Sequence, residues 1–285
     1  MKEITNMRFG EERALYGIKE TKVSNCRFEG EEDGESALKE AKKIELHHCF
    51  MDLRYPLWHD KEVVLNDVTM TEKCRAALWY THHVKIQDSH LLGIKALREC
   101  SYIQILNTEI VSPEFGWRSH HITAEHFQIE SEYLFFEAKH LCLRDMNFTG
   151  KYSFQYVENM VIEDSTLKTK DAFWHSKNVT VKNSIVQGEY LAWYSENLTL
   201  INCRIIGTQP LCYCKNLKLI DCEMVDTDLS FEYSDVEATI HGSIDSVKNP
   251  RSGYIEADTI KEVILTEDAK YKSQAKIKTR IKVNA

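Results

Sequence analysis

The chain has 285 residues, 43% hydrophobic and 28% charged, so it can bury a sizeable core and still present a polar surface. Its 36 basic and 44 acidic residues leave a net charge of −8, which disfavours a nucleic-acid partner because such partners need a basic stripe. No stretch approaches the roughly 18 apolar residues of a membrane span. The N-terminus lacks the apolar segment of a signal peptide, so we expect a cytoplasmic protein with reduced cysteines.

An eight-residue unit recurs about every 19 residues along most of the chain. Leu198–Ile205 (LTLINCRI) returns as Leu217–Met224 (LKLIDCEM). Earlier units begin at Lys2, Thr21, Ile44, Val63, Val84, Ile103, Ile122, Leu141, Met160 and Val179. The first and third positions of the unit are apolar, which predicts a strand with one buried face. A fixed period of this length predicts stacked supersecondary units.

The fifth position of the unit holds residues that tolerate a left-handed backbone, mostly Asn and Asp. They are Asn6, Asn25, His48, Asp67, Asp88, Asn107, His126, Asp145, Asp164, Asn183, Asn202 and Asp221. A bend at this corner turns the sixth and eighth positions inward again. Each repeat is therefore predicted to be a strand, a corner, a second strand and a third short strand, which is one coil of a parallel β-helix.

The fold class predicted is all-β, a single-stranded right-handed parallel β-helix of about 12–13 coils. The handedness follows from the rule for parallel crossovers. A leucine-rich repeat is the alternative, because its period overlaps, but it needs a helix or a looser convex side in each repeat.

In chain order, the first coil begins at Lys2, and an acidic loop at residues 30–43 then enlarges the second coil. The coils continue from Ile44 to Tyr233, with two residues inserted near residues 71–75. The corner residue is lost after Val236. We expect one domain over residues 1–285, with repeat coils in 1–244 and capping strands and a Lys-rich tail in 245–285, since an open stack needs an atypical end.

Five tryptophans share one position of the predicted third strand: Trp58, Trp79, Trp117, Trp174 and Trp193. The residues two positions away are small or apolar and the adjacent position is polar, so strand alternation predicts that the indoles face the core. An exposed ladder that stacks on sugar rings is the alternative. The opposite parity carries an apolar strip that either tucks inward or forms an interaction surface. The apolar strip comprises Leu57, Leu78, Leu97, Phe135, Phe154 and Phe173.

The same outward parity gathers tyrosine, histidine and carboxylate side chains typical of a carbohydrate-binding face; a solvated sheet is the alternative. The predicted ligand-binding residues are His59, Tyr80, Tyr133, Tyr152, Tyr156, Asp171, His175, Tyr190, Tyr194 and Tyr213.

Glu99, Arg118 and Glu137 follow one another in three consecutive coils and are the candidate catalytic residues. Two strand spacings of about 4.8 Å would separate the carboxylates, near the upper edge of the roughly 6.5–9.5 Å used by inverting glycosidases. The arginine between them would keep both ionised, whereas a general acid needs a raised pKa. The trio is therefore interpreted as a charge-paired ladder in preference to a catalytic site.

Histidines occupy the last position of three coils, at His83, His121 and His140. The histidine pairs at residues 82–83 and 120–121 are potential zinc ligands, but Tyr102 interrupts the column and no carboxylate or thiol completes a site. In later coils the same position becomes Asn159, Asn178, Asn197 and Asn216. The column is therefore interpreted as a second corner ladder, and no metal or cofactor is expected.

The repeated coil, the Asn corners and the three-strand repeat resemble the pectin-lyase-like right-handed β-helix superfamily. Within it, residues 2–244 resemble a bacterial family of short-coiled proteins known only as a domain of unknown function. Of the motifs of polygalacturonase-like members, Asn107-Thr108-Glu109 approximates Asn-Thr-Asp, and Arg280-Ile281-Lys282 matches Arg-Ile-Lys but lies in the tail. The Asp-Asp and Gly-His-Gly motifs are absent. The resemblance implies the fold, and a polysaccharide substrate only by analogy.

Two functional hypotheses follow. The first is a cytoplasmic protein that binds or processes an oligosaccharide on its tyrosine-rich face, with the question of catalysis left open. The second is a non-enzymatic scaffold whose apolar strip docks a partner or a second copy of the chain. Neither a membrane nor a nucleic acid is an expected partner.

Overall fold

The computed structural model describes residues 1–30 and 34–281. It is an all-β parallel solenoid with a period of roughly 19 residues, as the repeat predicts, and it has about 14 turns where 12–13 coils were predicted. No helix is present among the described residues, which removes the leucine-rich-repeat alternative. No helix in those residues has the length and apolarity to cross a membrane.

The chain divides into two compact units, residues 1–147 and residues 148 onward. The strands that begin in the first unit are β1 (Lys2–Thr5), β2 (Arg8–Phe9), β3 (Lys19–Ser24), β4 (Arg27–Phe28), β5 (Lys42–Met51), β6 (Lys61–Met70), β7 (His82–Gln87), β8 (His90–Leu91), β9 (Ser101–Val111), β10 (Glu114–Phe115), β11 (His120–Ser131), β12 (Tyr133–Leu134) and β13 (Lys139–Gly150). Those of the second unit are β14 (Glu158–Glu163), β15 (Thr166–Lys168), β16 (Lys177–Lys182), β17 (Ile185–Gln187), β18 (Glu196–Ile201), β19 (Arg204–Ile206), β20 (Leu217–Val225), β21 (Asp235–Lys248), β22 (Ser252–Ile264) and β23 (Lys276–Thr279). The expectation of a single domain stays a prediction.

Equivalent residues of consecutive coils pair directly in parallel register. In the first unit Ile44 pairs with Val63, and Val63 with Val84. In the second unit Val179 pairs with Leu198. From the second coil to Leu219, the first and third positions of the repeat are buried, as the alternation predicts, whereas Lys2 and Ile4 of the first coil are not. All nine cysteines are free and all except Cys142 are buried, where they fill small spaces in the core.

The predicted corners are confirmed at all twelve positions, where the backbone is left-handed with φ between 47° and 56°. Their side chains also bond along the solenoid. The Asn202 Nδ2 amide donates to Asn183 Oδ1 at 3.0 Å, and Asn183 Nδ2 donates to Asp164 Oδ1 at 3.2 Å. The short polar residues of the corners thus have two roles: they adopt the left-handed bend, and their side chains form hydrogen bonds between coils.

The predicted third strand is wrong for most coils. Apart from β10 and β12, this segment is a series of turns in which alternate residues are left-handed, for example Leu57 (φ 61°) and His59 (φ 59°). The Leu57 N–H donates to the coil before it, at Ala37 O (3.0 Å), and the His59 N–H to the coil after it, at Trp79 O (2.9 Å). These hydrogen bonds to the coils on either side stabilise the left-handed conformation, which a residue such as Leu would otherwise disfavour.

The turn geometry reverses the predicted facing of two columns. Strand alternation no longer applies, so the apolar strip points into the core, where each member is at most 2% exposed. The tryptophans, predicted to be core, are instead half-buried at the surface. The apolar strip is therefore the core itself and is not an interaction surface.

Beyond residue 244 the solenoid continues, since β22 pairs in parallel with β21 and β23 with β22. The register shifts between Leu219 and Cys222, where the next coil is one residue shorter and lacks a corner. The predicted terminal strands are thus present. Part of the acidic loop (residues 31–33) and the end of the tail (residues 282–285) lie outside the described residues.

Candidate functional site

Four aromatic side chains of the second unit stack into a continuous column, here named the aromatic ladder: Tyr156, His175, Tyr194 and Tyr213. Consecutive ring centroids lie 5.0, 5.0 and 4.7 Å apart, and consecutive planes differ by 4°, 8° and 12°. Tyr156 and Tyr194 are each 46% exposed. Because each inner ring is covered on both faces by its neighbours, the ladder presents ring edges, phenol hydroxyls and imidazole nitrogens to solvent.

A second column runs beside it, two positions further along each coil, and is named the charged ladder: Glu158, Lys177, Glu196 and Lys215. Glu158 pairs in register with Lys177, Lys177 with Glu196, and Glu196 with Lys215, so the sign of the charge alternates. The intervening residues Val157, Ser176, Ser195 and Cys214 are buried.

The eight side chains of the two ladders line an open groove of about 490 Å³. Burial, together with the neighbouring Glu232 and Cys212, raises the pKa of the Tyr213 phenol to about 12, so this phenol is a neutral donor and acceptor at physiological pH. The groove thus offers one phenol or imidazole and one carboxylate or ammonium group in each coil. Such groups can form hydrogen bonds with a chain of hydroxyl groups.

The predicted face therefore splits into two columns. Tyr156, His175, Tyr194 and Tyr213 come together in the groove. Four others of the face lie four positions earlier in their coils, on the far side of the tryptophans: Tyr133, Tyr152, Asp171 and Tyr190. The first, second and fourth of these are half-buried and Asp171 is buried.

The tryptophans stand between the two columns and are fixed by their indole N–H groups. Trp193 Nε1 donates to Gln209 O at 2.8 Å, and its ring lies 5.5 Å from that of Tyr190 and 5.3 Å from that of Tyr213. Trp174 Nε1 donates in the same way to Tyr190 O at 2.7 Å. The tryptophans therefore pack against the aromatic ladder and support it. They do not present open ring faces on which sugars could stack.

In the first unit, the position equivalent to the aromatic ladder holds Gly17 and Glu40 and then His59 and Tyr80, whose rings stack at 4.8 Å. Glu99, Arg118 and Glu137 follow. Arg118 Nε donates to Glu137 Oε2 at 2.6 Å, and this contact raises the pKa of the arginine. Both side chains are about half exposed. A carboxylate held by a guanidinium is poorly suited to act as a general acid.

The histidine column of the first unit is a corner ladder in the structure. Its residues have left-handed φ angles, and the rings of His83, Tyr102, His121 and His140 stack at 4.7–4.8 Å. Within the described part of the chain there is no group of three or more His, Cys, Asp or Glu side chains arranged to hold a metal ion.

The charged ladder was not predicted from the sequence, although a signal for it exists. Reading position 18 of each coil down the chain gives Glu158, Lys177, Glu196 and Lys215, an alternation at the repeat spacing. Because the third segment was predicted to be a strand, the residues two positions after the aromatic ladder were not recognised as its neighbours on the surface.

Comparison with known proteins identifies a family. A family model described as "Protein of unknown function (DUF3737)" matches residues 2–278. No curated protein matches the sequence.

Several solved β-helical structures are similar to the chain at low identity. The A-module of the mannuronan C-5 epimerase AlgE4 from Azotobacter vinelandii is 11% identical, with a TM-score of 0.37 over 84% of this chain and 89% of that one. PfbA, a surface adhesin of Streptococcus pneumoniae, is 10% identical, with a TM-score of 0.42 over 85% and 77%. HetL, a pentapeptide repeat protein from Nostoc sp. strain PCC 7120, is 13% identical, with a TM-score of 0.31 over 78% and 92%. At this level the likeness concerns the fold alone.

Proposed function

The chain belongs to the DUF3737 family of proteins of unknown function, and we propose that its second unit binds a linear, uncharged oligosaccharide along the groove between the aromatic and charged ladders. The observation that carries the proposal is the repetition of hydrogen-bonding side chains on both walls of one groove, once per coil. Strand spacing sets this repeat at about 4.8 Å. Each coil therefore presents one aromatic edge and one charged side chain to a sugar residue lying along the groove, and carboxylate and ammonium alternate from coil to coil.

The chemistry of the two walls favours an uncharged ligand. The charged ladder alternates in sign, so a polyanion would meet Glu158 and Glu196 in alternate coils and be repelled there. The rings of the aromatic ladder cover one another, so sugars are held by ring edges and hydroxyl groups and not by stacking on open faces. Carboxylate and ammonium groups form the stronger charge-assisted hydrogen bonds with neutral hydroxyls.

The proposed activity is binding of the oligosaccharide without hydrolysis. The groove contains no pair of carboxylates on opposite walls, because both of its glutamates belong to the charged ladder. The retaining and inverting mechanisms both need two carboxyl groups that flank the scissile bond. The scaffold hypothesis loses its support, since the apolar strip that motivated it is buried.

The test is calorimetric titration of the purified protein with neutral oligosaccharides of four to six sugars, repeated with Tyr194→Ala. Tyr254→Ala is the matched control, because Tyr254 is 43% exposed and lies outside the groove. We expect Tyr194→Ala to weaken binding about tenfold or more, a loss typical of an aromatic residue central to a binding site. Tyr254→Ala should leave the affinity unchanged.

Circular dichroism and the melting temperature show whether each variant is folded. Undiminished binding by folded Tyr194→Ala would overturn the proposal, as would the absence of binding to every neutral oligosaccharide. Tighter binding of an oligouronate than of any neutral chain would contradict the ligand class.

A further inference from the structure

The first unit carries a column of basic residues at the coil position that the charged ladder occupies in the second unit. Each is the first residue of its strand, and they are named the cationic column: Lys19, Lys42, Lys61, His82 and His120. Lys19 pairs in register with Lys42, and Lys42 with Lys61. His82 continues the column after Lys61, and Ser101 separates it from His120. One structural position thus alternates in sign in one unit and, in the other, carries basic residues interrupted by Ser101.

Direct pairing of like charges on adjacent strands is unfavourable for folding. The three lysines are exposed, and none of them makes an ion pair with another described residue. Three exposed carboxylates stand beside the column, Glu20, Glu40 and Glu62, and Glu20 is engaged by Lys43 at 3.2 Å. The column and the residues beside it nevertheless carry more lysines than carboxylates, since Lys2 and Lys43 add to the three lysines of the column.

A further observation places this charge beside an open space. A groove of about 640 Å³ lies at the N-terminal end of the column, lined by Met1, Lys2, Lys19, Glu20, Lys42 and Lys43. At the other end, burial and the charges of His83, Lys61 and His59 lower the pKa of His82. Burial lowers the pKa of His120 as well, so both histidines are neutral at pH 7 and the charge of the column resides in its lysines.

From this register, charge and groove we infer that the cationic column is a binding site for an extended chain of phosphate groups, such as inorganic polyphosphate. The site belongs to the first unit and rests on no part of the proposed oligosaccharide site. Lysine is a compact point charge that binds phosphate, whereas planar carboxylates are recognised best by the bidentate fork of arginine. The column has lysines and histidines and no arginine.

A nucleic acid fits this surface less well than a bare phosphate chain. Proteins that bind single strands place the bases on open aromatic faces. Of the aromatic groups near the column, Tyr102 is covered on both faces, by His83 at 4.7 Å and by His121 at 4.8 Å, and His59 and Tyr80 cover one face of each other at 4.8 Å. The surface therefore offers charge along a line and no run of open aromatic faces on which successive bases could stack.

The experiment measures binding of fluorescently labelled inorganic polyphosphate by anisotropy at pH 7, at several salt concentrations. The test variant combines Lys19→Gln, Lys42→Gln and Lys61→Gln. The control combines Lys85→Gln, Lys168→Gln and Lys218→Gln, which remove the same charge from elsewhere on the solenoid. Unlabelled oligouronate and oligo(dT) of equal total charge serve as competitors.

Losing three contacts should reduce the slope of log affinity against log salt by about two, equivalent to roughly a hundredfold weaker binding at 0.1 M salt. The control should retain wild-type affinity, and the test variant should melt no lower than wild type because it relieves repulsion. Equal losses in both variants would show non-specific attraction and overturn the inference, as would no binding by the wild type. Stronger competition by oligo(dT) or by oligouronate than by polyphosphate would refute the phosphate-chain assignment.

Discussion

The indole rings of Trp174 and Trp193 lie parallel on consecutive coils, with centroids 5.4 Å apart and planes differing by 4°. Each indole N–H donates to a main-chain carbonyl of the following coil. The residue before Trp174 is Phe173, which is 2% exposed and packs in the core. The two neighbouring aromatic residues therefore have different roles. Phe173 fills the core, and Trp174 connects adjacent coils at the surface through its hydrogen bond and its stacked ring.

This difference predicts unequal costs of truncation. Phe173→Ala removes a fully packed ring and should lower the free energy of unfolding by about 3–5 kcal/mol. Trp174→Ala loses one hydrogen bond and one stacked pair at a half-buried site, so about 1–3 kcal/mol is expected. Urea unfolding of both variants gives the comparison. A larger loss of unfolding free energy for Trp174→Ala than for Phe173→Ala would indicate that the tryptophans are core residues. It would contradict their surface position in the structure.

The corner residues should be replaceable by glycine more cheaply than by an apolar residue. Asn202 has φ 51° and donates to Asn183 Oδ1 at 3.0 Å. Asn202→Leu adds backbone strain to the lost bond and should cost on the order of 1–3 kcal/mol. Asn202→Gly loses only the side-chain bond, worth about 1 kcal/mol, and relieves the strain. Thermal unfolding of the pair tests this, and an unchanged melting temperature for Asn202→Leu would refute the role of the corner.

Asp60 should make stability fall as pH rises through the neutral range. The side chain is 1% exposed, Oδ1 accepts the Ala41 N–H at 2.8 Å, and burial raises the pKa to about 8. An unfolded aspartate has a pKa of about 3.9, so between pH 4 and 8 the folded state holds a proton that the unfolded state has lost. The folded state is therefore destabilised progressively across that window.

Asp60→Asn keeps the acceptor and cannot ionise. Its stability relative to wild type should increase from pH 5 to pH 8, measured by urea unfolding at both values. A difference that is constant with pH would mean that Asp60 is ionised in the folded state throughout.

The contact between Arg118 and Glu137 should contribute little to stability. Both side chains are about half exposed, and exposed ion pairs are worth about 0–1 kcal/mol. Glu137→Gln should therefore change the free energy of unfolding by less than about 1 kcal/mol. It should also leave any turnover of oligosaccharides unaltered. A substrate whose conversion is lost by about a hundredfold in Glu137→Gln would establish this residue as a proton-transfer group.

The sequence was sufficient to predict the solenoid and its corners because the repeat spacing and residues such as Asn202 and Asp164 carry direct physical signals. An Asx residue at a fixed interval marks a left-handed bend whatever surrounds it. Even His48 and His126, which stand in for Asn at that position, adopt the same conformation.

The facing of the third segment could not be predicted in the same way. Leu57, Leu78 and Phe173 are left-handed in the structure, although such residues rarely favour that conformation. Only the hydrogen bonds to the coils on either side make it stable, and these are long-range contacts with no local signature. From the sequence alone, strand alternation was therefore expected. It wrongly placed the tryptophans in the core and the apolar strip at the surface.

The central claim is that the exposed edges and hydroxyls of the aromatic ladder bind an oligosaccharide, and Tyr194→Phe tests it most directly. The variant keeps the ring stacked between His175 and Tyr213 and removes only the hydroxyl. Loss of one hydrogen bond should weaken binding of a neutral oligosaccharide by about three- to tenfold in calorimetric titration, with Tyr254→Phe unchanged. Wild-type affinity in Tyr194→Phe would contradict the account.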